Sequence, residues 1–160
     1  MRKLAVVSDT HRVELIMDKF IDRIKDCDLI LHAGDNFEDC TYIQQLTGKE
    51  VIGVPGNCDH KYVGIAEREL VLEVDGVNIL LCHGDQYNVQ FDTYTLESHA
   101  ELAGVDVAIF GHTHRPYKTE YNGILYINPG SLSIPRGGTD SGFMILNIEN
   151  GNFDVEYIVI

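Results

Sequence analysis

Positive charge is scarce in this chain: its 160 residues carry 12 Lys and Arg against 25 Asp and Glu, a formal net charge of −13. Such a surface repels a nucleic-acid backbone, whose binding depends on Lys and Arg neutralising phosphates, so no long DNA or RNA partner is expected. A small phosphate substrate stays open, because bound divalent cations would reverse the local field. Long apolar runs are also missing. The basic start Met1-Arg2-Lys3 is followed only by Leu4 to Val7 before Ser8-Asp9. That run is too short for a signal peptide, and nothing approaches the roughly 20 apolar residues of a membrane-spanning helix. Paired cysteines are lacking too: Cys27, Cys40, Cys58 and Cys82 form no CxxC, which argues for a reduced chain and against a disulfide framework. A cytoplasmic protein with no membrane partner is the expectation.

What is present reads as one α/β domain over residues 1–160, since a domain of roughly this size buries about 68–70% of its unfolded surface. Short Val-, Ile- and Leu-rich runs recur at Leu4–Val7, Leu29–Leu31, Val51–Val54, Val77–Cys82 and Val105–Phe110. Several lack polar alternation, as strands covered on both faces do. Val13, Ile16, Met17, Phe20, Ile21 and Ile24 repeat at three- and four-residue steps, the apolar stripe of a helix packed on a sheet. Further helices are expected near 39–47 and 92–103. Later segments at Leu70–Val74, Tyr117–Tyr121, Ile124–Ile127, Phe143–Ile148 and Phe153–Ile160 are strand-like. Asp75-Gly76, Asn122-Gly123 and Asn150-Gly151 mark tight hairpins between neighbours. A βαβ-type first half followed by an antiparallel second half points to two sheets packed face to face.

The metal-capable residues fall in register with these strands. Asp9 and His11 follow the first apolar run, Asp35 the second, and Asn57 and Asp59 the third. His83 follows the Val77–Cys82 run, and His112 and His114 follow the fifth. Ligands of parallel α/β sheets collect beyond the carboxyl ends of strands, so the series aims at one place. Each motif alone has a plainer reading. Asp9-Thr10-His11 resembles a capped helix start, and Gly34-Asp35-Asn36 and Gly56-Asn57 resemble ordinary turns. Gly111-His112-Thr113-His114 is more demanding, because two histidines after a buried run are costly without partners.

Taken together, Asp9-x-His11, Gly34-Asp35, Gly56-Asn57-x-Asp59, His83-Gly84 and Gly111-His112-x-His114 resemble the motif series of the calcineurin-like metallophosphoesterases. The likeness runs from residue 3 to about 137. The Gly-Asn-Cys-Asp form, with Asn128-Pro129-Gly130-Ser131 and Pro135-Arg136-Gly137, looks like the compact YfcE-type phosphodiesterase branch. The resemblance implies a four-layer α-β-β-α sandwich of two mixed sheets. It also implies two divalent transition-metal ions per chain, manganese first, with nickel, iron or zinc as alternatives. Asp9, His11 and His114 would hold one ion, Asp35 would bridge, and Asn57, His83 and His112 would complete the second site. Imidazole and carboxylate donors suit such metals, and a metal-bridging hydroxide would attack a small phosphoester in line. A phosphomonoesterase, a nucleotide-anhydride hydrolase and a non-catalytic scaffold of the same fold, like the small subunit of the retromer, are the alternatives. Relatives often pair or assemble further, so a homodimer or higher homo-oligomer is expected.

One position departs from the family. Many members carry His after the motif Asn, where it protonates the leaving group with help from the following acid; here those positions are Cys58 and Asp59. A thiol with a pKa near 8.5 suits that role poorly at neutral pH. With Asn57 orienting the phosphoryl group, Asn57, Cys58 and Asp59 are the catalytic candidates. Arg136, in a Gly-Ser- and Pro-punctuated loop, and Arg12, beside the first motif, are the substrate-binding candidates, since a guanidinium grips phosphate bidentately. A surface ion pair is the plainer reading of each. His32 reads as a core or supporting histidine, and His60 as an exposed loop residue.

Overall fold

All ten strands form, along with three helices. The computed structural model describes residues 1–160. The strands are β1 (Arg2–Val7), β2 (Leu29–His32), β3 (Glu50–Gly53), β4 (Glu69–Val74), β5 (Val77–Cys82), β6 (Val107–Ile109), β7 (Pro116–Tyr121), β8 (Ile124–Pro129), β9 (Gly142–Glu149) and β10 (Asn152–Val159). The helices are α1 (Glu14–Arg23), α2 (Asp39–Thr47) and α3 (Tyr94–Ala103). One five-stranded sheet runs β10-β9-β1-β2-β3 and the other β4-β5-β6-β8-β7.

Period-two patterning along the strands builds the layers. Leu4 and Val6 of β1 join Ile79 and Leu81 of β5 and Val107 and Ile109 of β6 in a core between the sheets. Ala5 and Val7 point the other way, onto Met17, Phe20 and Ile24 of the α1 region and Ile43 of α2. Across the molecule Leu80 and Cys82 alternate in the same manner and meet Leu96 and Ala100 of α3. The result is the expected α-β-β-α sandwich. Asp75-Gly76, Asn122-Gly123 and Asn150-Gly151 all take positive φ at both residues, the type I′ geometry whose twist matches paired strands.

The antiparallel pairs of the second half divide between the sheets: β9–β10 returns to the first sheet beside β1, while β7–β8 joins the second, with β8 parallel to β6. Long-range pairing made that choice, and a hairpin signal specifies only its own two strands. Val51 and Ile52 are partly exposed because β3 is an edge strand.

Candidate metal centre

Strands β1, β2 and β3 run parallel in one sheet and β5 and β6 in the other, and their carboxyl ends meet at the seam between the sheets. β4, antiparallel to β5, adds no donor. The loops leaving these ends are held in unusual backbone. Asp9, His11, Asp35, His112 and His114 have φ of 52°, 48°, 60°, 69° and 57°. A residue with a Cβ gives up roughly 1–2 kcal/mol in that left-handed region, and such strain concentrates where a site needs it. Close approach is also built in: a Cβ on Gly111 would fall 2.9 Å from Asp9 Oδ2 and 3.0 Å from Ser8 Cβ.

Two groups of donors result. The ligand atoms of Asp9, His11, Asp35 and His114 lie within 4.8 Å of one another. Asp9 is wholly buried, and its Oδ1 accepts no hydrogen bond. His114 Nε2 stands 3.1 Å from that oxygen, and His11 Nε2 and His83 Nε2 stand 4.0 Å from it. His11 Nε2 is likewise buried without a partner. In the second group Asn57 Oδ1 sits 3.0 Å from both His83 Nε2 and His112 Nδ1, and Asp35 Oδ2 is 3.5 Å from His83 Nε2. Asp35 therefore touches both groups.

Supporting contacts orient these donors, as they do around metal ligands generally. The Nδ1–H groups of His83 and His114 donate to the carbonyls of Ala33 (2.6 Å) and Ile134 (2.7 Å), which turns each Nε2 inward. Ser8 Oγ and the His112 amide donate to Asp9 Oδ2 at 2.6 and 3.2 Å, and the Cys58 amide donates to Asp35 Oδ1 at 3.0 Å. Ser131 Oγ donates to the Asp9 carbonyl at 2.7 Å, and Asn128 Nδ2 holds the Gly111 carbonyl at 2.8 Å. Ser8 escaped the sequence reading because a serine before a motif carries no signal of its own.

In the metal-free chain these groups shift one another's protonation. Burial alone would lower the His83 pKa, yet the Asp35 hydrogen bond and the charges of Asp9 and Asp35 raise it to about 9. The same partnership overrides burial and holds the Asp35 carboxyl far below its ordinary range. His114 is raised despite burial by its Asp9 contact, while His112 is lowered by burial and by His83. An unpartnered buried carboxylate oxygen ringed by imidazole nitrogens is unfavourable in a plain core. It fits a divalent cation, and the mixed nitrogen and oxygen donors suit manganese, iron, nickel or zinc.

Other candidates are sorted by the cavity of about 170 Å³ over these donors, which His11, Asp35, Asn57, Cys58, His112, His114, Ile134 and Arg136 line. Arg136 and Cys58 are therefore brought to the site. Burial and the Asp35 charge push the Cys58 thiol up to about 11, so it stays protonated at neutral pH. Asp59 braces a loop. Its oxygens accept the amides of Phe37 (3.0 Å) and Gly56 (2.7 Å), and it does not line the cavity. The Arg12 guanidinium pairs with Glu38, and Arg12 lines a separate groove with Tyr42 and Tyr62. His32 is a supporting residue, accepting from the Gly34 amide (3.1 Å) and donating to Thr10 Oγ1 (3.1 Å), which donates to Asp39. His60 is exposed, as expected, and opens a single 3-10 turn, His60–Tyr62.

Residues 2–151 match the calcineurin-like phosphoesterase superfamily domain. A probable metallophosphoesterase of Methanothermobacter thermautotrophicus is 35% identical over 158 residues, 97% of this chain and 91% of its own length. The phosphodiesterase YfcE of Escherichia coli K12 is 31% identical over 106 residues, 61% of this chain and 53% of its own. Among solved structures, a predicted phosphoesterase from Streptococcus pneumoniae TIGR4 superposes with a TM-score of 0.83 at 26% identity, over 99% of this chain and 89% of that one. Vps29 from Entamoeba histolytica, complexed with Zn²⁺, shares the fold at a TM-score of 0.77 and 24% identity, over 98% of each chain.

Proposed function

The chain belongs to the calcineurin-like phosphoesterase superfamily, and from that premise we propose that it is a phosphodiesterase working at two divalent transition-metal ions, manganese first. Asp9, His11 and His114 would hold one ion and Asn57, His83 and His112 the other, with Asp35 serving both. The single observation that carries this reading is Asp9 Oδ1, fully buried, without a hydrogen bond, and within 4.0 Å of three imidazole nitrogens. When bound, the ions supply Lewis acidity toward phosphoryl oxygen and an activated water.

The chain's own groups do the rest. Arg136, at the rim of the cavity, grips a non-bridging phosphate oxygen and adds to the charge stabilisation that grows toward the transition state. Asn57 orients the phosphoryl group from its place between His83 and His112. Cys58, kept as a thiol, donates only weakly to a leaving alkoxide, so esters with good leaving groups are cleaved best.

The test is to strip metals and assay an activated phosphodiester and the matching monoester with Mn²⁺, Ni²⁺, Zn²⁺ or Mg²⁺, beside Asp35→Ala. Diester turnover restored by a transition metal and lost in the variant is the expected result. Two metals bound per chain with no turnover would instead favour a partner-binding scaffold, a reading kept open by Cys58 and by the fold shared with Vps29.

A further inference from the structure

Beside the metal cavity runs a second groove of about 580 Å³, and His112 and Arg136 line both. Whatever ester group extends from a phosphate seated at the donors has this groove as its neighbour. Three aromatic side chains border it. Phe91 is 81% exposed and Tyr94 73% exposed, and Tyr117 is braced edge-on against buried Phe110 with ring centroids 5.7 Å apart. An aromatic residue left this open beside a groove is apolar surface awaiting a flat partner, since rings gain from stacked and edge contacts.

The charges point the same way. Arg115 and Arg136 both line the groove, and neither enters any ion pair of the chain. In a protein of net charge −13, with acids outnumbering bases twofold, two guanidinium groups that line one groove outside any ion pair are available to an anion. The groove's own acid, Asp92, is engaged by the Tyr94 amide at 3.1 Å. Aromatic faces with free arginines make a surface that accepts a base and its phosphate together.

We propose that this groove is a specificity subsite for a nucleoside carried on the scissile phosphodiester, its base against Phe91, Tyr94 and Tyr117 and its phosphate between Arg136 and the metal donors. The proposal rests on the phosphodiesterase reading above. Hydrolysis adds one water across the P–O bond, giving a nucleoside monophosphate and an alcohol, with the water's proton passing to the departing oxygen.

Two probes with the same leaving group separate the claims: the p-nitrophenyl ester of thymidine 5′-monophosphate and methyl p-nitrophenyl phosphate, each with Mn²⁺-loaded protein. The expected kcat/KM ratio favours the nucleoside ester by about tenfold or more, and Phe91→Ala and Tyr94→Ala each reduce that ratio roughly tenfold, a typical loss for one base–aromatic stack. Leu102→Ala, on α3 and 89% exposed away from the groove lining, leaves it unchanged. Calorimetric binding of thymidine 5′-monophosphate is read in parallel. Hydrolysis of both esters with a ratio near one that Phe91→Ala does not move overturns the subsite and leaves the phosphodiesterase standing. No hydrolysis of either, but nucleotide binding that the aromatic variants weaken, keeps the subsite and overturns the activity. Neither hydrolysis nor binding overturns both.

Discussion

Gly56→Ala places the sharpest demand on the site. A Cβ there would lie 2.6 Å from the Asp35 amide nitrogen and 2.8 Å from its carboxyl carbon, with Oδ1 nearer still. Ordinary contact begins near 3.4 Å, so the β3 loop and the β2 loop must part by about 0.8 Å at the backbone. Because the obstacle is backbone and a pinned carboxylate, the cost falls in the overpacking range, about 1–3 kcal/mol. For a domain of this size that lowers Tm by about 2–12 °C. The displaced carboxylate is the one shared by both donor groups, and a misplacement near 1 Å costs on the order of a hundredfold in rate. Gly48→Ala is the control, since its Cβ meets nothing within 4 Å while its φ of +67° carries a strain of about 1 kcal/mol. The assays are thermal unfolding, metal content after dialysis and diester turnover. Gly56→Ala with wild-type metal content and rate would refute the argument that Asp35's position sets the site.

Four further outcomes follow from the same geometry. In metal-free protein the raised His83 pKa, about 9 against an ordinary 6.5, stabilises the fold fully below pH 6.5, and that contribution is lost as pH climbs through 9. The denaturant midpoint of metal-free protein should fall across this window and lose that dependence in His83→Gln; a flat wild-type profile contradicts the assigned charge. Metal must displace the same proton, so Mn²⁺ affinity should rise about tenfold per pH unit below 9, read by proton release on titration. Arg136→Gln should cut diester kcat/KM by roughly tenfold to a hundredfold, the worth of a charge-assisted hydrogen bond, whereas Arg12→Gln, paired with Glu38 outside the cavity, should stay within about twofold; equal losses would undo the distinction. Cys58→His should speed cleavage of alkyl diesters by on the order of a hundredfold and change activated ones little, and no gain on alkyl esters discards the leaving-group argument.

The ten strands were visible in the chain because apolar runs and Asp-Gly or Asn-Gly turns are local signals. Of the stripe expected for α1, Met17, Phe20 and Ile24 are buried and Val13, Ile16 and Ile21 are partly so. The seven candidate donors were picked out for a related reason: each sits one to five residues past a strand, and position past a strand end is a local property. The contacts of Asp59 and Arg12 were not legible, because the partner of a loop side chain is not local. Nothing near residue 59 announces that the amides of Phe37 and Gly56 will occupy its carboxylate, and nothing near residue 12 announces Glu38. His99 is a further case: it lies 3.0 Å from Glu69, thirty residues away in the chain, and stacks with Tyr87.

By itself, the order of residues determined the elements, their turns and the set of donor types, because periodicity, turn chemistry and motif spacing act over a few residues. Tertiary structure alone decided that β9 and β10 return to the first sheet, that two sheets bring five strand ends to one seam, and that Asp9 Oδ1 is sealed there unpartnered. It also decided which arginine faces the cavity and that an aromatic groove continues from it. Those outcomes depend on which distant surfaces bury one another, and a free carboxylate or guanidinium is defined only once every neighbour has been placed.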